Sequence, residues 1–221
     1  MAGTPGFTAL KSRQRAIREG FPENMGLRVH RALSWIGRAE GCAGDDDARF
    51  IFLWIAFNAA YADEREFQKA QPGERAAFPG YFRRLVALDG DNRIYGAIWR
   101  QFAGPVRLLM GNRYVFAPFW QHHNGIEGHA DWQARFDADA RRFARAFQAG
   151  DIARVLGTVF ERLYVLRNQL VHGGATWNSA VNRDQVRDGA AILGFLMPVF
   201  VELMMDNPGE DWGRPFYPVV E

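Results

Sequence analysis

Apolar residues recur along this chain at helical spacing almost throughout, and no segment alternates in the manner of a half-buried strand. ENMGLRVHRALSWIGRAEG places Met25, Val29, Leu33 and Ile36 on one face and stops at Gly41. The acidic turn Asp45 to Asp47 then supplies an N-cap and favourable charge for the next helix. That helix carries a broad stripe of Phe50, Leu53, Trp54, Phe57 and Tyr61. Between 72 and 120, Pro72, Pro79, Pro105 and Pro118 interrupt short apolar runs, which predicts two or three shorter helices. Periodicity returns in HADWQARFDADARRFARAF through Trp132, Phe136, Ala140, Phe143 and Phe147. Asp151 caps the next helix, whose inward face is Ile152, Val155, Val159, Leu163, Leu166 and Leu170, and Gly173 and Gly174 end it. Asn182 and Gln185 fit a capping box opening a last helix that runs to about Asp206, with a kink expected at Pro198.

The pattern implies an all-α antiparallel helical bundle with an irregular helical insertion. A single domain over 1–221 is expected. Its core helices lie at roughly 25–65 and 150–206, the insertion at 66–149, and a loose basic lead-in at 1–20.

Composition narrows the functional classes. Hydrophobic residues make up 48% and aromatics 14%, ample for a packed core. Lys+Arg (27) and Asp+Glu (25) nearly cancel, so bulk charge does not mark a nucleic-acid binder. Lys11 and Lys69 are the only lysines, and arginine forks suit phosphate and carboxylate better than ammonium does, although a GC-rich coding bias gives the same preference. The lone Cys42 excludes an intramolecular disulfide and a multi-cysteine metal site. No signal-like apolar run opens the sequence, and RFIFLWIAFNAAYADE is broken by Arg49, Asn58 and Asp63. A soluble cytoplasmic protein without membrane attachment is expected.

The chemistry-bearing stretch is RNQLVH and the two glycines after it, Arg167 to Gly174. A histidine titrating near neutrality can act as acid or base, and an arginine can hold developing phosphoryl charge by paired hydrogen bonds. Together they can cleave RNA through its 2′-OH with no metal. Five residues of helix separate them by about 140° around the axis, so one straight helix does not bring them together. Both residue types also suit a helix C-terminus simply through its dipole and last carbonyls.

Asn58, an amide inside the aromatic run WIAFNAAY, and Arg162 are candidate substrate contacts; a structural amide joining two helices is the plainer account of Asn58. Glu161 fits a solvated face. His122, His123, Glu127 and His129 in HHNGIEGH suggest metal ligands, but adjacent histidines in a loop seldom converge on one ion, and neither metal nor cofactor is expected. Arg141, Arg142 and Arg145, and the pair Arg83–Arg84, read as charged solvent faces before they read as a phosphate track. Walker A, GxGxxG, GxSxG and HExxH patterns do not occur.

RNQLVH resembles the Arg-x4–6-His signature of HEPN domains, and its surroundings agree. RALSWIGRAE with DARFIFLWIAFNAAYADE looks like that family's first helix pair, and ERLYVLRNQLVHGG with the long helix after it looks like the later pair. The resemblance covers roughly 25–65 and 150–206. It implies a metal-independent endoribonuclease of the toxin–antitoxin or anti-phage kind, with Arg167 and His172 catalytic and Asn168 at the polar position after the arginine. It also implies a homodimer with two facing motifs, an RNA substrate, and an antitoxin or sensor partner. Many HEPN domains are instead non-catalytic nucleotide- or protein-binding modules, which is the alternative; a purely structural, dimerising bundle is the third reading.

Overall fold

The structure, a computed structural model, describes residues 4–62, 78–180 and 182–219. Residues 66–77 of the expected insertion, with Lys69 and Pro72, lie outside the described residues. Ten α-helices occur in order among the described residues: α1 (Phe7–Ile17), α2 (Glu23–Glu40), α3 (Asp46–Tyr61), α4 (Phe78–Leu88), α5 (Arg93–Gly96), α6 (Ala103–Gly111), α7 (Ala117–His123), α8 (Trp132–Gln148), α9 (Ile152–Val171) and α10 (Arg183–Asp206). No extended strand forms among the described residues.

The antiparallel core results from the stripes. Trp35 of α2 stacks on Phe52 of α3, and Arg28 reaches the far end of α3, so these two helices run oppositely. Trp54 meets Phe160 and Tyr164, and Phe57 meets Phe160, which sets α9 antiparallel to α3. Returning beside them, α10 runs parallel to α3 and comes close because Gly189 offers no side chain. A Cβ there would sit 2.9 Å from the Phe50 ring. By length and composition Arg183–Asp206 qualifies as a membrane span, but 72% of its most apolar stretch is buried inside the protein. Its apolar character is therefore spent on the bundle interior.

Fully buried Phe160 is where four helices meet. Its ring centroid lies 4.5 Å from Phe57 on α3, 4.8 Å from Phe82 on α4 and 6.2 Å from Phe200 on α10. Aromatic pairs at these separations add dispersion and quadrupole attraction to simple burial. Fully buried Arg28 closes one end of the bundle. It donates to the carbonyl of Ala60 at the end of α3 (3.1 Å) and to the carbonyls of Gly213 (3.1 Å) and Arg214 (3.0 Å) in the C-terminal segment. Helix-end carbonyls lack intrahelical donors, and a guanidinium supplies several at once.

Three expectations are corrected. The lead-in is not loose over 7–17: it forms α1, with Leu10 and Gln14 buried and Arg13 paired to Asp206 and Glu202. The capping box does not form. Asn182 takes a left-handed conformation (φ 59°) and its side chain donates to Gln169 Oε1 at 2.9 Å instead. The third concerns the helix count in the expected insertion, where Phe82, Ile94, Ile98 and Val106 belong to the main core and Phe116, Phe119 and Trp132 form a small separate cluster. The segment breaks into more pieces than expected, including a π-helical turn at Ala97–Gln101 and a 3₁₀ turn at Arg113–Val115. Through Pro198, α10 is continuous.

Phe160→Ala is expected to lower unfolding stability by about 3–5 kcal/mol, the range for deleting a buried phenyl ring from a packed core. Urea denaturation checks it, and a loss under about 1 kcal/mol would remove this ring from the centre of the fold.

Candidate functional site at the end of helix α9

α9 buries Val155, Leu156, Val159, Phe160, Leu163 and Leu166, which fixes the helix about its axis and so decides where its polar residues point. Half-buried Arg167 has Nη1 donating to Asn168 Oδ1 at 2.9 Å, with its guanidinium 5.8 Å from the Tyr164 ring centroid. The residue after the arginine thus restrains the guanidinium. Exposed His172 is the C-cap, its backbone N–H donating to the Asn168 carbonyl at 3.0 Å. No hydrogen bond joins the His172 ring to Arg167 among the described residues. Within one chain, Arg167 and Asn168 are brought together and His172 is left at the tip.

The helix stops for reasons visible in the two glycines. Gly173 adopts φ +72°, and its N–H reaches the Leu170 carbonyl (3.3 Å) while the Gly174 N–H reaches the Gln169 carbonyl (2.6 Å). This is a Schellman cap, in which a left-handed residue lets the chain bond back across the last turn. Gly174 is needed for a different reason: a Cβ there would lie 3.0 Å from the Gln169 carbonyl oxygen.

The loop beyond is tied to the N-terminus of α3. Asp45 accepts from the Ala48 N–H (3.0 Å), as the acidic turn led us to expect, and also from Trp177 Nε1 (3.1 Å). Asp47 accepts from the Asn178 N–H (3.2 Å) and from Arg183 Nη2 (2.6 Å). The Ala48 hydrogen bond, aided by Trp177, the Asp47 N–H and the Arg183 charge, holds the Asp45 carboxyl below the usual carboxylate range.

Beside the motif opens a cleft of about 1260 Å³ whose walls include Gln169 and Gly174. Opposite stand Tyr114, Trp120 and Trp132, contributed by the segment from the 3₁₀ turn to α8. Gln169 bridges the two sides, donating to the Tyr114 carbonyl at 2.5 Å while accepting from Asn182. Sequence reasoning passed over Gln169, Tyr114 and Trp120. The clustering of aromatics in NRYVFAPFW was the available signal.

The other expected residues lie apart. Arg162 is buried, 2.5 Å from Asp139 and with its guanidinium 4.4 Å from the Phe116 ring, so it locks α8 and the preceding turn to α9. It also lines a separate recess of about 600 Å³ with Asp139, Arg142 and exposed Glu161. Asn58 is half-buried, and its Oδ1 accepts no hydrogen bond among the described residues. Its neighbour Phe57 packs on Phe160, seven residues before Arg167 or roughly 10 Å along the axis, so Asn58 does not join the motif. His123 packs on Phe119 (4.3 Å), and no group of three His, Cys, Asp or Glu able to hold a metal occurs among the described residues. Arg83, Arg141 and Arg145 are exposed, Arg142 pairs with Asp139, and Arg84 is held against the Asp211 carbonyl.

Comparison with family models, curated proteins and solved structures found no match.

Gly173→Ala should cost about 1 kcal/mol, since a Cβ in the left-handed region is strained; thermal unfolding measures it, and no loss would contradict the cap. A second expectation concerns acid. A depressed folded pKa means that the Asp45 contribution is present above the unfolded value, near 3.8, and is lost as pH falls through the folded one. Asp45→Asn should therefore flatten the acid limb of the stability–pH profile. An unchanged limb would show that the carboxylate carries no such linkage.

Proposed function

We propose that the chain is a HEPN-like, metal-independent endoribonuclease of the cytoplasm, working as a homodimer. The observation that carries the reading is the placement of RNQLVH. It ends the long core helix of an antiparallel bundle, with Arg167 steadied by Asn168 and His172 exposed at a rigid cap.

In this reading a histidine takes the proton of a ribose 2′-OH, the O2′–P bond forms, and the P–O5′ bond breaks. A second histidine gives a proton to the departing 5′ oxygen. Arg167 hydrogen-bonds the phosphoryl oxygens where negative charge develops. A second copy supplies the second histidine and removes the need for Arg167 and His172 of one helix to converge. The products are a 2′,3′-cyclic phosphate and a 5′-OH. An antitoxin or sensor protein is the partner expected for such a nuclease.

The divergence of the two side chains within one chain, and the near balance of 27 basic against 25 acidic residues, favour a second reading: a non-catalytic nucleotide- or protein-binding module.

The test is cleavage of single-stranded RNA in EDTA, with DNA intact because it lacks the attacking hydroxyl. His172→Ala should lower the rate by about 10² to 10⁴, the worth of one general acid or base. Arg167→Lys should also be impaired, because an ammonium lacks the fork. Sedimentation should give a dimer at micromolar concentration. RNA degraded equally by wild type and His172→Ala would hand the protein to the binding-module reading.

A further inference from the structure

We propose that the cleft beside α9 holds an unpaired nucleobase, which places the strand relative to the α9 terminus; this rests on the nuclease reading only for what happens to that strand afterwards. Its volume of about 1260 Å³ exceeds what one planar ring needs, leaving room for the attached sugar and a neighbouring nucleotide.

The walls are built for flat, neutral rings. Tyr114 and Trp120 are 41% and 37% exposed, a large aromatic surface to leave in water without an occupant. Both are held rather than loose. Trp120 Nε1 donates to the Tyr114 carbonyl at 2.7 Å, and the Arg113 guanidinium lies 5.1 Å from the Tyr114 ring centroid. Fixed aromatic and guanidinium faces are what unpaired bases stack upon.

The polar lining is mostly amide. Gln133 and Gln185 face the cleft, and their side-chain amides make no hydrogen bond with any described residue, while the Gln169 side chain is already engaged on both sides. A free carboxamide presents a donor and an acceptor side by side, the complement of a base edge such as adenine N6 and N7. Among the described residues, charge in the lining is limited to Arg113 and Asp137, which offset each other. An anion such as isolated phosphate is therefore a poor occupant, whereas a neutral heterocycle carrying its own donors and acceptors fits.

Position links the cleft to the motif. Gly174, two residues after His172, forms part of its edge, and the Gln169–Tyr114 hydrogen bond fastens the aromatic wall to the same helix. A base seated there delivers its chain to the exposed end of α9.

The test uses an uncleavable probe, a six-residue deoxyadenosine oligonucleotide, titrated into the full-length protein while its tryptophan fluorescence is monitored. Wild type should bind with quenching. Trp120→Leu and Gln185→Leu should each weaken binding about tenfold or more with unchanged thermal unfolding, and an abasic oligomer of the same length should bind no better than the variants. Equal binding by the abasic oligomer, or undiminished binding by both variants, overturns the proposal. So does failure of the oligonucleotide to bind, which would leave this face to a protein partner. Oligonucleotide binding lost in the variants, from a wild type that does not cleave RNA, supports the base site and removes only the nuclease reading. RNA cleavage that survives in variants binding as wild type does the reverse.

Discussion

One ring fixes the frame in which the candidate site exists. Phe160 touches α3, α4 and α10 at once, and α9 can rotate about its axis only by withdrawing it. Interiors at crystal-like density do not accommodate such a withdrawal without leaving a void. The azimuth of every later residue on α9 is therefore inherited from Phe160. Arg167 lies seven residues on, close to the same face, which is why it is half-buried near Tyr164. His172 is a further 140° or so around and falls at the cap, in solvent.

Holding the helix does not by itself hold the loop after it, because a connection between two helices is ordinarily more mobile than the helices it joins. Here two carboxylates of the α3 N-terminus grip it at three points, the Trp177 ring nitrogen, the Asn178 N–H and the Arg183 guanidinium. Charge-assisted hydrogen bonds of this kind are stronger than neutral ones. The acidic turn thus does two jobs: Asp45 caps its own helix, and Asp45 and Asp47 together orient the loop that leaves His172. Trp177 nevertheless remains 73% exposed, with its indole anchored through the ring nitrogen.

Whether a feature is legible in the chain before folding depends on whether it is periodic or pairwise. The faces of α2, α3, α9 and α10 were legible because burial repeats every 3.6 residues, and the Asp45 and Asp151 caps were legible because a capping side chain bonds only three residues ahead. α1 escaped notice because it buries just two positions, Leu10 and Gln14, too few to make a stripe. The capping box failed because Asn182 had a better use for its amide on Gln169, thirteen residues away. For the site, Arg167, Asn168 and His172 lie within six consecutive positions and could be picked out by eye. The Gln169–Tyr114 bond could not: it spans 55 positions and ends on a backbone carbonyl, which every residue type possesses. Arg162 is the converse case: its charge suggested ligand contact, while its partner, Asp139, lies 23 positions away and could not be paired with it in advance.

A helix turning about 100° per residue presents RNQLVH in several directions at once, and this governs what the terminus can do chemically. Arg167 faces the bundle side near Tyr164, Gln169 faces the aromatic cleft, and His172 faces solvent beyond both. Arg167 and His172 of one helix thus point about 140° apart around its axis. Reaction in the proposed manner therefore needs an arginine delivered from elsewhere, and a symmetric second copy is the simplest source because an isologous contact presents the same terminus twice. The geometry couples the two proposals asymmetrically. Base binding needs one chain and should survive dilution to monomers, whereas phosphoryl chemistry needs two and should fall with the square of protomer concentration once the dimer dissociates.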